Sequence, residues 1–366
     1  MQITAKITGI EYQIELTNNL KAFGFKDFDI NELPSSCIIK NDNFSFGLSK
    51  WVSPKRTRSY PYERVYNTLG SSKRITVIPI IKDEGKKGDR DFIQWDTISL
   101  MSLLDVFVIF AYYSNAKKHS TRENKITNQK FDNSSIKDKI IEIKNYHSSA
   151  LHWNLKEIEN AFPKLIKKAK STYNSLQTKL GVEFHSEQGI DKFAKQFIDG
   201  VENFMETSRQ KAKEAQNREM VTIQPKEVLS TLTKATITIE NYLGGKYYFT
   251  TDEIRIEKEK VFLIEGKHSK NSFLPSNGDI KDGLLKMILY TNLKEVYING
   301  KEYQPVPVIK LTSTKLKSSI FSTDSSVKIN KFILKHNFSK KQQELIANLF
   351  IEANKNDFIV NIEKAE

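Results

Sequence analysis

Three side chains in the second half of the chain have types and spacing suited to phosphate chemistry. Glu265 and Lys267 stand two apart in Val261 to Ser269, a run that reads as a strand, and a period of two places both on one face. A shorter strand-like run precedes it, and the polar turn Glu257 to Lys260 between them folds the pair into an antiparallel hairpin. That hairpin returns Asp252, or Glu253 if the register slips by one residue, to the neighbourhood of Glu265 and Lys267. Two carboxylates with a substrate phosphate suffice for Mg²⁺, which keeps several waters and takes one or two protein carboxylates. An amine beside them steadies negative charge developing on a phosphate.

The flanking elements position this set. The apolar run Val261 to Ile264 anchors the second strand, a helix is expected over Asp279 to Tyr290, and a further strand over Glu295 to Ile298. With the triplet Glu265-Gly266-Lys267, this order resembles the PD-(D/E)xK nuclease superfamily over about residues 235 to 300. One departure is that Thr250 and Thr251, where the family often has proline, precede the first acid. The resemblance implies that Asp252 and Glu265 bind Mg²⁺ while Lys267 positions or deprotonates the attacking water. It implies 5′-phosphate and 3′-hydroxyl products. The segment Lys267 to Ser272, with Lys270 within it, could contact phosphates near the cut. An acid from a preceding helix sometimes completes such sites, and Glu202 or Glu206 is the nearest candidate here. His268 points to the face opposite Lys267 and is expected to be packed or hydrogen-bonded.

Composition agrees with a polyanionic partner. The 366 residues include 57 Lys and Arg against 44 Asp and Glu, a formal charge of +13 that attracts nucleic acid over long range. The single cysteine, Cys37, excludes an intramolecular disulfide and multi-cysteine zinc sites. The sequence contains no GxxxxGK[ST], GxGxxG or HExxH, so a nucleotide-driven motor and zinc proteolysis receive no support. No apolar stretch is long enough for a membrane span, and a soluble cytoplasmic protein is expected.

Two segments of the first half could bind ligands. Lys50 to Tyr66 interleaves Lys55, Arg56, Arg58 and Arg64 with Trp51, Tyr60, Tyr62 and Tyr66, which suits contacts to phosphates and bases or equally a basic loop with its rings in the core. Lys82 to Asp96 carries Asp83, Glu84, Asp89 and Asp91, which could gather a metal; the simpler reading is a loop of internal ion pairs with Asp96 capping the next helix.

The expected fold class is mixed α/β: a PD-(D/E)xK-like core preceded by an N-terminal α/β lobe and a helical connector. Residues 1–145 form the lobe, where strands over Ile75 to Ile81 and Val106 to Tyr113 flank a helix in a parallel crossover. Residues 146–220 form the connector, with Arg209 to Glu219 an exposed end or hinge, and residues 221–366 the catalytic domain. Ile309 to Ser322 is expected to extend the sheet and Ser339 to Asn354 to form a terminal helix. The whole resembles a type II restriction endonuclease, cutting double-stranded DNA as a homodimer and accompanied by a cognate DNA methyltransferase. A structure-specific repair or recombination nuclease and a non-catalytic DNA-binding protein are the alternatives.

Overall fold

A computed structural model describes residues 1–17, 19–55, 61–197, 200, 202–208, 210, 214, 235–241 and 246–365. Arg56, Arg58, Tyr60, the turn at Gly244 and Gly245 and most of the stretch 209–219 lie outside these residues. The fold is mixed α/β, with sheets and helices in both of two compact units, Asn19–Gln210 and Met1–Asn18 with Lys211–Glu366. No described helix is long and apolar enough to cross a membrane.

The unit Asn19–Gln210 is built on a five-stranded sheet ordered Ala22–Gly24, Ser36–Asn41, Phe44–Lys50, Arg74–Pro79, Val106–Ala111. The last three are mutually parallel, and the helix Trp95–Leu103 makes the expected crossover between the last two. Every residue of Val106–Ala111 is buried, as its unbroken apolar run requires. Its outer edge is closed by the helix Ala150–Leu180. Asn154 accepts from Val108 N–H (2.8 Å) and donates to the Val106 carbonyl (3.1 Å), and Trp153 Nε1 donates to the Val108 carbonyl (2.9 Å). These bonds satisfy strand groups that would otherwise be orphaned. Cys37 lies in this core, where burial pushes its thiol up to about 11.

This corrects the division expected at 145 and 220. The long helix carries an apolar stripe from Trp153 through Phe162 to Leu176, and burying that stripe against the sheet makes it part of the unit. The polar stretch after Tyr113, which breaks the apolar pattern, forms a hairpin of Tyr113–Lys118 with Ile126–Phe131.

The other unit draws on both ends of the chain. Gln2–Ile7 is the central strand of a sheet ordered Lys246–Thr251, Ala235–Asn241, Gln2–Ile7, Lys294–Ile298, Lys301–Glu302. The segment after it is tied to the C-terminal helix Lys340–Lys355, where the enclosed Glu352 accepts from Tyr12 Oη (2.7 Å) and the amides of Glu15 and Leu16 (both 2.9 Å). A second sheet is ordered Glu253–Glu257, Lys260–Ser269, Gln304–Ser313, Ile359–Lys364, Ile320–Phe321. Its first two strands form the hairpin expected from the turn, with Glu257 opposite Lys260. The strand expected at Glu295 to Ile298 exists but pairs with Gln2–Ile7 in the first sheet. The parallel neighbour of Lys260–Ser269 is Gln304–Ser313, reached through the helix Asn277–Thr291.

Candidate active site

The site forms where the chain passes from one sheet to the next. Lys246–Thr251 belongs to the first sheet and Glu253–Glu257 to the second, so Asp252 occupies the corner between them. There its Oδ2 accepts from the Gly266 amide (2.8 Å), inside the Glu265-Gly266-Lys267 triplet. Thr251 Oγ1 donates to the Ile264 carbonyl (2.9 Å) and pins the corner to the same strand. The register puts Glu253 opposite Ile264, and its carboxylate meets Lys310 (3.5 Å). Asp252 is therefore the acid beside Glu265, and the alternative register is not adopted.

Glu265 is 2% exposed, yet it sits between two ammonium groups: Lys267 Nζ lies 3.0 Å from Oε1 and Lys286 Nζ 2.6 Å from Oε2. Lys267 also contacts Asp282 (3.1 Å), and Lys286 reaches the Thr250 carbonyl (3.3 Å). Asp282 and Lys286 stand four apart on the helix Asn277–Thr291 and so share a face. Gly283 sits between them because the helix lies close on the sheet: a Cβ there would meet Ile309 Cδ1 at 2.9 Å and Lys267 Cε at 3.2 Å. Neither Asp282 nor Lys286 was singled out by spacing. The available signal was Lys286 itself, a lone cation in the apolar run Leu284 to Tyr290.

The electrostatics divide the carboxylates. Burial alone would raise Glu265, but the ammoniums of Lys286 and Lys267 overcome it and hold the carboxyl down at about 2. Burial, reinforced by the charge of Glu265, pushes Asp252 up to about 7. Both lysines are held above the ordinary lysine range, because attraction to Glu265 outweighs their burial. A lysine held this firmly as ammonium is a donor and a positive charge, and not a base.

The donor set fits a hard cation. Asp252 Oδ1 has no protein partner among the described residues, and a divalent ion beside Asp252 and Glu265 would offset the repulsion between their charges. No group of three or more His, Cys, Asp or Glu side chains capable of holding a metal occurs among the described residues. Mg²⁺ here would have two protein carboxylates, with phosphate and water completing its shell.

The remaining candidates fall elsewhere. His268 Nδ1 meets Thr312 Oγ1 (2.9 Å) on the neighbouring strand, a hydrogen-bonded role. Lys270 is exposed, and its carbonyl accepts from Thr314 (3.0 Å). Glu202 and Glu206 are exposed on the helical stretch 202–208 of the Asn19–Gln210 unit. The third acid near the triplet, Asp282, comes from the helix that follows it. In the basic segment Trp51, Tyr62 and Tyr66 are turned into the core, leaving no ring of these three to stack on a base. Lys55 pairs with the buried Asp91 (2.8 Å), and Arg64 Nη1 donates to the Lys50 carbonyl (2.7 Å).

The acidic loop is a network of internal bonds. Asp83 meets His185 Nδ1 (2.9 Å) and accepts from the Gly85 amide (2.9 Å), and Glu84 is shared by Lys82 (2.9 Å) and Lys125 (3.1 Å). Asp96 is buried in the first turn of the helix Trp95–Leu103, whose N-cap is Gln94, so the capping role expected of Asp96 is not its position. Comparison with protein-family models, with curated proteins and with solved structures finds no match.

Proposed function

We propose that the chain is a Mg²⁺-dependent endonuclease of the PD-(D/E)xK type, and more narrowly a type II restriction endonuclease acting on double-stranded DNA. The observation that carries this reading is the convergence of Asp252, Glu265 and Lys267 at one sheet corner, with Asp252 bonded to the amide between the other two. The order hairpin, helix, parallel strand supports it, with Gln304–Ser313 in the place expected of Glu295 to Ile298. The net charge of +13 supports a polyanionic substrate.

In this reading Asp252 and Glu265 would hold the cation, which would supply Lewis-acid polarisation of the phosphate. Lys267 orients the attacking water and stabilises negative charge on the phosphoryl oxygens. Asp282 and Glu265 fix the Lys267 ammonium between them, so it enters the reaction already placed. The water oxygen bonds to phosphorus, the bond from phosphorus to the 3′ oxygen breaks, one proton of the attacking water passes to solvent, and the departing 3′ oxygen takes one from solvent.

Incubation of the protein with unmethylated plasmid and phage DNA, with Mg²⁺ or with EDTA, tests the reading. Discrete Mg²⁺-dependent fragments support a restriction endonuclease, and cutting confined to junctions or ends supports a structure-specific nuclease of the same chemistry. DNA that is bound but never cut in Mg²⁺ would leave a binding protein.

A further inference from the structure

The Asn19–Gln210 unit contains a cavity of about 700 Å³ at the carboxyl ends of its three parallel strands. Lys50 ends the first, Lys82 and Glu84 follow the second, and Tyr113 follows the third, while the hairpin residues His119 to Phe131 form the opposite wall. Crevices at this end of a parallel sheet are where loops from several strands converge on a ligand. The size is within the range of small-molecule sites.

The lining is cationic. Four lysines, Lys50, Lys82, Lys125 and Lys130, face it against two carboxylates, Glu32 and Glu84. Glu84 is divided between Lys82 and Lys125, and Lys130 meets Glu32 (3.3 Å). Lys50 has no carboxylate partner among the described residues: its Nζ donates to the neutral carbonyl of Ile30 (2.6 Å). Close to it Arg64, likewise without a carboxylate partner among the described residues, donates to the Lys50 carbonyl. Burial lowers the pKa of both; at Lys50 the guanidinium of Arg64 adds to the fall, while Cys37, Asp29 and Glu32 oppose it. Lys50 is half-buried, and the carboxylates of Asp29 and Glu32 act on it only from beyond ion-pair distance, so an anion in the cavity would give its ammonium a direct charged partner.

The backbone of the far wall is shaped accordingly. The register of the hairpin shifts between Thr127 and Lys130, and Asn128 within that bulge adopts a left-handed conformation (φ 50°). Bulges of this kind re-aim side chains beside binding sites.

We propose that this cavity is an anion site that receives a phosphoryl group, with Lys50 as its central cation and Lys82 and Lys125 as partners released from Glu84. The group comes either from a free nucleotide or from a nucleic-acid backbone. The site is separate from the Asp252, Glu265 and Lys267 set and stands whether or not that set cleaves DNA.

Thermal unfolding and calorimetric titration of the full chain in EDTA, at constant ionic strength, test it with inorganic phosphate, deoxynucleoside monophosphates, and single- and double-stranded oligonucleotides. Wild type is stabilised by at least one phosphate-bearing probe, and Lys50→Met binds that probe about tenfold more weakly. Without ligand, Lys50→Met melts no lower than wild type, since it removes a desolvated charge; a merely structural Lys50 predicts a lower melting temperature. Glu84→Gln frees two lysines and tightens binding by about threefold or more. A response to monophosphates or phosphate identifies a free nucleotide as the source, and a response to oligonucleotides alone identifies the backbone. A wild type that responds to no probe, or a Glu84→Gln variant and a Lys50→Met variant that both respond as wild type does, overturns the proposal.

Discussion

Asp252 and Glu265 respond to acid in opposite senses. The Asp252 carboxyl, raised to about 7 from an ordinary value of 3.8, contributes stability that is complete below pH 3.8 and lost as pH rises through 7. Glu265, lowered to about 2 from 4.5, contributes stability present above pH 4.5 and lost as pH falls through 2. Asp252→Asn is therefore expected to stabilise the metal-free protein at pH 8, by no more than about 4 kcal/mol, and by little at pH 4. Urea unfolding in EDTA at the two pH values checks this, and added Mg²⁺ stabilises wild type while leaving Asp252→Asn unchanged. Lys286→Met leaves Glu265 short of one cation and costs about 3 kcal/mol, part of it recovered in the double variant with Glu265→Gln. Glu265, Lys267 and Asp252 were legible because strand parity and one tight turn fix which side chains meet. Asp282 and Lys286 were not, because the face a helix turns to a sheet depends on how closely the two approach.

That approach is set by the helix Asn277–Thr291 and its seat on Lys260–Ser269 and Gln304–Ser313. Gly283→Ala adds a methyl group that meets the ends of Ile309 and Lys267, two side chains able to move aside. Its gain in helix propensity, about 1 kcal/mol, offsets the crowding, so stability changes little. If the proposed nuclease reading holds, displacing the Lys267 ammonium by about an ångström is expected to lower cleavage up to a hundredfold. Stopped-flow single-turnover kinetics beside a denaturation curve separate the two effects. The hairpin, this helix and the crossover between Arg74–Pro79 and Val106–Ala111 were readable, because long apolar runs and a tight turn mark them. The strand Gln304–Ser313 was met only in its last residues by Ile309 to Ser322, expected to extend the sheet, and the sequence offered Glu295 to Ile298 as the strand after the helix. Choosing between two apolar runs as partners of one strand is a tertiary question that periodicity does not answer. The Tyr113–Lys118 hairpin escaped for another reason: its inward positions, Tyr113 and Ala116, are three apart, so the alternation of a strand is absent.

At the scale of the whole molecule the chain's two ends belong together. Gln2–Ile7 lies at the centre of a sheet whose other strands come from beyond residue 234, so residues 211–366 expressed alone lack a central strand and are expected to aggregate. Residues 19–210, with their own sheet, edge cover and core, are expected to unfold cooperatively when expressed alone, which circular dichroism melting reads directly. The boundaries drawn from changes of apolar period missed this, since a six-residue strand near residue 2 carries no mark of a partner more than two hundred residues away. The role of Glu265 and Lys267 is read by comparing wild type, Glu265→Gln and Lys267→Ala on one DNA substrate, with binding scored in Ca²⁺ and cleavage in Mg²⁺. If Glu265 and Lys267 form the active site, all three bind DNA and both variants cut at least a hundredfold more slowly than wild type. Equal cleavage by the three proteins would contradict it and place the active site elsewhere.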